Sequence, residues 1–229
     1  MNHLFPPAPG FVNHIKLKNC IEMKRVYLFI ALLAAASSFT SAKDYKINSP
    51  DGRIVMTVNA GSSLAWSVTC DGKEVVRSTA IGLVLSNGKV VGENEIVRKA
   101  SVSELNEVIV PVVAHKRSQI TDNCNILKLN FRSGFSAQFR TYNDGVAYRF
   151  ESSGKDTLTI INEISSIEFP KGSSSWYPLE GSFMSHNECR FINTLLDTIS
   201  NRHLASLPVL FKSEGINVLL TESDIIDYP

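Results

Sequence analysis

The sequence predicts an all-β fold, a large β-sandwich with few or no helices. Three observations point there. From Lys43 onward, apolar residues recur with a period of two, the spacing that places alternate side chains on one face of a strand. Turn sequences such as Asp71-Gly72, Asn87-Gly88 and Asn143-Asp144-Gly145 separate the alternating runs, and such turns join antiparallel strands. The runs are short and closely spaced, as in sandwiches.

The elements follow in order. After the turn Ser49-Pro50-Asp51-Gly52, Ile54, Met56 and Val58 alternate with polar neighbours. Leu64, Trp66, Val68 and Cys70 continue the pattern, and Asp71-Gly72 turns it into residues 73–76. Residues 81–86 are apolar, and Asn87-Gly88 leads into 89–91. Residues 101–113 alternate less cleanly, with Pro111 marking an edge or a bulge. Leu127, Leu129 and Phe131 turn at Ser133-Gly134 into Phe135, Ala137 and Phe139. Asn143-Asp144-Gly145, residues that tolerate positive φ, then turn the chain into Val146, Tyr148 and Phe150. Residues 158–161 and 163–169 are further strands, stopped by Pro170-Lys171-Gly172. Ser173-Ser174-Ser175 leads into Trp176-Tyr177-Pro178, read as a loop. Residues 204–211 and 216–220 complete the pattern around Ser213-Glu214-Gly215. Residues 191–200 are the one stretch that reads as a short helix.

Composition agrees with a soluble globular domain. The 229 residues are 44% hydrophobic and 20% charged, with a net charge of +1. No basic excess points to a nucleic-acid partner. Residues 23–42 read as a secretory signal peptide: Lys24-Arg25 is its basic start, 26–36 its apolar centre and Thr40-Ser41-Ala42 its small-residue cleavage site. That apolar run is short for a bilayer span, and no Cys follows it to take a lipid. The mature chain is therefore expected to be exported, to run over 43–229 as one domain, and to leave the membrane after cleavage. Residues 1–22, with Pro6-Pro7, Pro9-Gly10 and Glu22, fit no part of a signal. Translation is expected to start at Met23.

Of Cys20, Cys70, Cys124 and Cys189, the last three survive cleavage, so at least one thiol lacks a partner within the chain. No CxxC or His-Cys spacing suggests zinc. Cys70 is expected to face the core, as free cysteines commonly do.

The chain has no self-contained catalytic motif and names no catalytic residue. His115 and His203 sit among polar residues near strand ends and read as solvated. His186 lies in the long polar loop 180–190, which is suited to line a site. Trp176-Tyr177 offers aromatic faces for stacking on a sugar ring, or equally a closure of the core at a loop. Glu222, Asp224 and Asp227 cluster after the last strand. If extended geometry continues, Glu222 and Asp224 point to one side, and converging carboxylates suit a hard cation such as Ca²⁺. The other reading is a solvated strand end.

The segment Phe139-Arg140-Thr141-Tyr142-Asn143-Asp144-Gly145-Val146-Ala147-Tyr148-Arg149-Phe150 resembles the signature hairpin of the N-terminal domain of glycoside hydrolase family 97. Ser49-Pro50-Asp51-Gly52 with its following strand is similar to that domain's opening. Thr221-Glu222-Ser223-Asp224-Ile225-Ile226-Asp227-Tyr228 is similar to the segment where it hands over to a catalytic barrel. The resemblance covers 43–229. It implies a β-super-sandwich of the galactose mutarotase-like kind, preceding a (β/α)₈ barrel. It further implies a periplasmic hydrolase of α-linked gluco-oligosaccharides, such as starch fragments, or of α-galactosides, with Ca²⁺ in the active site. By segment, Glu222 would be the ligand this domain lends, with Asp224 second. The barrel and its catalytic carboxyl pair are not in this sequence. The expected role is therefore a carbohydrate-binding or scaffolding domain, inactive alone. The alternatives are a stand-alone carbohydrate-binding module using Trp176, Tyr177 and His186, and a mutarotase-like enzyme, which would need a general acid and base in one pocket.

Overall fold

The computed structural model describes residues 42–113, 116–154, 157–186 and 188–223. The signal sequence, His115, Asp224 and Asp227 lie outside the described residues. A compact unit begins at Ala42.

Strands β1 (Lys43–Asn48), β2 (Ile54–Ala60), β3 (Leu64–Cys70) and β4 (Lys73–Leu85) form an antiparallel meander, onto which β5 (Val90–Val91) folds back. A second meander follows, made of β6 (Val97–Ile109), β7 (Ile120–Phe131), β8 (Phe135–Thr141) and β9 (Val146–Ser152). The chain then returns to the first sheet as β10 (Ile160–Glu168), beside β4. The rest makes a third sheet. β11 (Ser174–Glu180) lies between β12 (Phe191–Leu195) and β14 (Val209–Ser213), β13 (Leu204–Ala205) pairs with the end of β11, and β15 (Ile216–Leu220) is the outer strand beside β14. All pairings are antiparallel.

The all-β sandwich expected from the alternation is what forms. Met56, Val58, Trp66 and Val68 of the first sheet meet Leu127, Leu129, Ala137 and Phe139 of the second in one core. Phe139 and Met56 are fully buried, and apolar burial of this kind is the main term stabilising such a layer. Cys70 packs on the edge of that core, and Cys70, Cys124 and Cys189 are all free thiols.

Several boundaries differ from the sequence reading. The expected segments 73–76 and 81–86 are one strand, β4, and 158–161 and 163–169 merge into β10. The expected strand 204–211 divides into β13 and β14. Trp176-Tyr177-Pro178 is not a loop but the middle of β11, because β12 and β14 pair with both its edges. The serine run disguised the strand, and Ser175 is itself buried there. Residues 191–200 do not form a helix. Phe191, Asn193 and Leu195 alternate with Ile192 and Thr194 along β12, and only Leu196–Thr198 coils, as a 3₁₀ turn. Pro111 falls beyond the end of β6. None of Asn143, Asp144 and Gly145 takes a positive φ. Their turn closes through the Tyr142 N–H on the Gly145 carbonyl at 2.8 Å.

The third sheet is anchored from its inner face. Ser213 Oγ donates to the Val75 carbonyl at 2.9 Å, and Phe211 stacks on Phe169 with ring centroids 4.1 Å apart.

Candidate functional site

Two surfaces carry the residues singled out in the sequence. The first lies where β15 ends. Glu222 is exposed two residues past β15. Its charge reaches Glu163 of β10 and Tyr148 of β9. The strands explain this meeting. Tyr148 packs beside Trp66 and Phe150 at the rim of the core, with centroids 6.2 and 6.4 Å away. Its hydroxyl lies 3.4 Å from Ser165 Oγ on β10, with the Glu163 carboxylate nearby. Partial burial raises the Glu163 carboxyl above the usual carboxylate range, and the Glu222 charge raises it further. Burial likewise raises the Tyr148 phenol, and the charges of Glu163 and Glu222 add to it. Ser165 also lines an open groove of about 680 Å³ between β10 and the third sheet, shared with Phe169, Asp197, Phe211 and Leu220.

The donors gathered here are all oxygens: two carboxylates, a phenol and a hydroxyl. That chemistry fits a hard cation, which would relieve the repulsion between Glu163 and Glu222. It supplies only part of the six to eight oxygens that Ca²⁺ takes. Among the described residues, no group of three or more His, Cys, Asp or Glu side chains is arranged to hold a metal. Glu163, Tyr148 and Ser165 were not singled out in the sequence. Their strand alternation marks them as surface and rim positions, and nothing local says that β10 lies beside the end of β15.

The second surface is the outer face of the third sheet. Trp176 sits opposite Asn193 of β12 and Leu210 of β14, and Leu210 sits opposite Leu219 of β15. Residues directly opposite share a face, so Trp176, Leu210 and Leu219 form a row across three strands. Tyr177, one residue on, faces the other way. It is 3% exposed, against 45% for Trp176, and its hydroxyl is 2.9 Å from His203 Nδ1. The two rings therefore do not make one stacking platform. Trp176 alone is open.

Beyond β11 the chain enters the loop that holds His186, which is exposed. The root of this loop is fixed by a buried carboxylate. Glu180 accepts from Ser206 Oγ at 2.8 Å and from Cys189 Sγ at 3.1 Å. Hydrogen bonds from Ser185, Cys189 and Ser206 hold its carboxyl below the usual range, and Glu180 in turn pushes the Cys189 thiol up. Among the described residues, no hydrogen bond or ion pair joins Trp176, His186 and Glu222. Arg140 and Arg149 of the β8–β9 hairpin pair within the domain, with Asp122 at 3.4 Å and Glu151 at 2.7 Å.

The protein is an all-β assembly of three antiparallel sheets with a carboxylate pair beside the end of its last strand and an open apolar face on its third sheet. The match to known proteins makes the class specific. Residues 47–229 match the family described as Glycosyl-hydrolase 97 N-terminal, and the chain belongs to it. It is 30% identical over 217 residues to a retaining alpha-galactosidase of Bacteroides thetaiotaomicron, covering 90% of this chain and 33% of that protein. The chain thus spans about a third of the length of the curated relative it matches. Its fold is similar to the crystal structure of a beta-arabinopyranosidase, with a TM-score of 0.70, 20% identity, and 80% and 32% of the two chains covered. It is also similar to a Glycoside Hydrolase Family 97 enzyme from Pseudoalteromonas sp. strain K8 in complex with acarbose, with a TM-score of 0.64, 20% identity, and 74% and 27% covered.

Proposed function

We propose that this chain is the N-terminal β-sandwich of an exported, calcium-dependent α-glycosidase. It scaffolds a catalytic part that lies outside the 229 residues and lends that part a cation ligand. The observation that carries this reading is the match of 47–229 to the N-terminal domain of a glycoside hydrolase family whose matched relative is three times as long. The substrates are α-linked gluco-oligosaccharides or α-galactosides. The starch-type α-glucoside is the expectation from the sequence, and the name of the curated relative favours the galactoside. Glu222 is the proposed Ca²⁺ ligand, with Glu163 the carboxylate beside it. Asp224 remains the proposed second ligand from the sequence. The catalytic carboxyl pair of glycoside hydrolysis belongs to the missing part.

The test is hydrolysis of an aryl α-glucoside and an aryl α-galactoside. The 229-residue chain is expected to turn over neither. The same chain extended through a downstream barrel is expected to turn over one of them, and calcium chelation is expected to abolish that activity. Turnover by the 229-residue chain would sink the reading. Export through residues 23–42 to the periplasm rests on the basic and apolar pattern of that segment. N-terminal sequencing of the secreted protein is expected to begin at Lys43.

A second reading, a stand-alone carbohydrate-binding module, has the open indole of Trp176 in its favour. It requires maltooligosaccharide binding that is lost in Trp176→Ala.

A further inference from the structure

We propose that the outer face of the third sheet, centred on Trp176, is an interdomain contact. It is covered by the polypeptide that continues past β15 in the longer relatives. The inference rests on the proposed function and adds to it which face meets the catalytic part.

The first argument is composition. On this face Trp176, Leu210 and Leu219 run in a row across β11, β14 and β15, with Phe191 beside Pro178 two residues along. Leu219 is 60% exposed and Phe191 49%. Lys212 is the one charged side chain among the exposed, described strand positions of the face; Glu180, two residues past Pro178, is buried. A sugar site needs hydrogen-bonding groups beside its aromatic ring, whereas Trp176 has leucines on one side and a single amide, Asn193, on the other. An apolar row of this kind on a sheet surface marks a contact with protein.

The second argument is position. The inner face of the sheet is held to the rest of the domain by the Phe169–Phe211 stack and the Ser213–Val75 hydrogen bond, beside the groove that Phe211 and Leu220 line. β15 runs so that its last residue, Leu220, pairs with Val209, next to the Trp176–Leu210–Leu219 row. The chain therefore leaves the sheet at the end where the open apolar side chains gather. The loop after β11 springs from that same end, and its tip presents Phe183 and Met184, each more than nine-tenths exposed. The Glu180 clamp at its root fixes where that tip stands. Polypeptide continuing from β15 therefore starts beside this surface.

The experiment is thiol footprinting of Trp176→Cys and Leu219→Cys, with labelled sites resolved by mass spectrometry. It is run on the barrel-extended protein and on the 229-residue chain. Val108→Cys on the exposed β6 is the control. In the extended protein, labelling at 176 and 219 is expected to be at least about tenfold slower than in the 229-residue chain, because access then requires local opening. The control is expected to be equal in both. Equal labelling of 176 and 219 in the two proteins overturns the proposal. So does protection in the 229-residue chain that depends on its concentration, which would assign the face to a second copy. Protection by maltooligosaccharide or galactooligosaccharide would assign it to sugar and overturns it as well. If Trp176→Cys fails to fold, Asn193→Cys reads the same face. Activity of the extended protein is scored separately. An active enzyme with freely labelled thiols rejects the interface alone, and an inactive one rejects the proposed function.

Discussion

Asn143 Oδ1 accepts the backbone N–H of Asp51 at 3.0 Å, across 92 residues of sequence. The turn between β8 and β9 is thereby fastened to the turn between β1 and β2, joining the two sheets at one end of the sandwich. Asp51 Oδ1 accepts from Ser49 Oγ and from the Arg53 N–H, so the receiving turn is itself internally braced. Asn143→Ala is expected to lower stability by about 0.5–1 kcal/mol, the net worth of one hydrogen bond with water access. Asn143→Asp keeps the acceptor and is expected to lose less. Urea midpoints of the three proteins check this, and an unchanged midpoint in Asn143→Ala would mean that water replaces the contact at no cost.

Glu180 gives a pH dependence with a definite sign. Its folded carboxyl is depressed by Ser185, Cys189 and Ser206. Its contribution is therefore present above the ordinary carboxylate range and lost as pH falls through the lowered folded value. Acidification past that point is expected to free the loop after β11 before the sandwich melts. Proteolysis at Phe183–Met184 by an acid-active protease should then rise ahead of the global transition. At neutral pH the raised Cys189 thiol is expected to alkylate slowly. Glu180→Gln should speed it, since the neighbouring charge that disfavours thiolate is gone.

Gly92 is a position where backbone shape forbids a side chain. It follows β5 with φ at +95°, and a Cβ there would press against the Ile81 carbonyl oxygen. Its own carbonyl accepts from Leu64 N–H at 2.7 Å, joining the β5 end to β3. Gly92→Ala combines a left-handed φ with a backbone clash and is expected to cost roughly 2 kcal/mol or more. Gly88→Ala, which has the φ without the clash, is expected to cost less. Thermal unfolding of both variants separates the two contributions.

Calcium binding is expected to be weak in the 229-residue chain. Glu163 and Glu222 leave most of the cation's oxygen positions unfilled. Calorimetry should find millimolar or weaker affinity, reduced further by Glu222→Gln. In the extended protein the same substitution should raise the calcium needed for activity. Micromolar binding by the chain alone would place the site elsewhere.

The alternating strands of the two meanders were legible because each buries one face, so Leu127, Leu129 and Phe131 advertise their direction in the sequence. β11 and β12 were not. β11 begins in a serine run and contains Pro178, and β12 mixes Phe191 and Leu195 with Asn193 and Thr194, a pattern that a helix tolerates for one turn. The pairing that makes them strands is mutual and lies outside either segment. Glu222 was legible as one acid in a cluster. Its partner Glu163 was not, because β10 returns to the first sheet after the whole second meander, and no local pattern encodes that return. The opposite facing of Trp176 and Tyr177 follows at once from strand geometry, but only after β11 is known to be a strand.

β6 is the outer strand of its sheet, paired with β7 alone, and 13 residues long. Its free edge is a template on which a foreign strand can add. Arg98, Lys99, Glu104 and Glu107 place both signs of charge along that edge, and an incoming strand must match them at each step. The domain thus carries two sticky surfaces with opposite safeguards. The flank of β6 guards itself by charge wherever the protein is, whereas the Trp176 face has only one lysine and relies on being covered during synthesis. A nascent chain released before its cover forms is expected to self-associate through the third sheet as well as along β6, where Val102, Val108 and Ile109 are exposed between the charges.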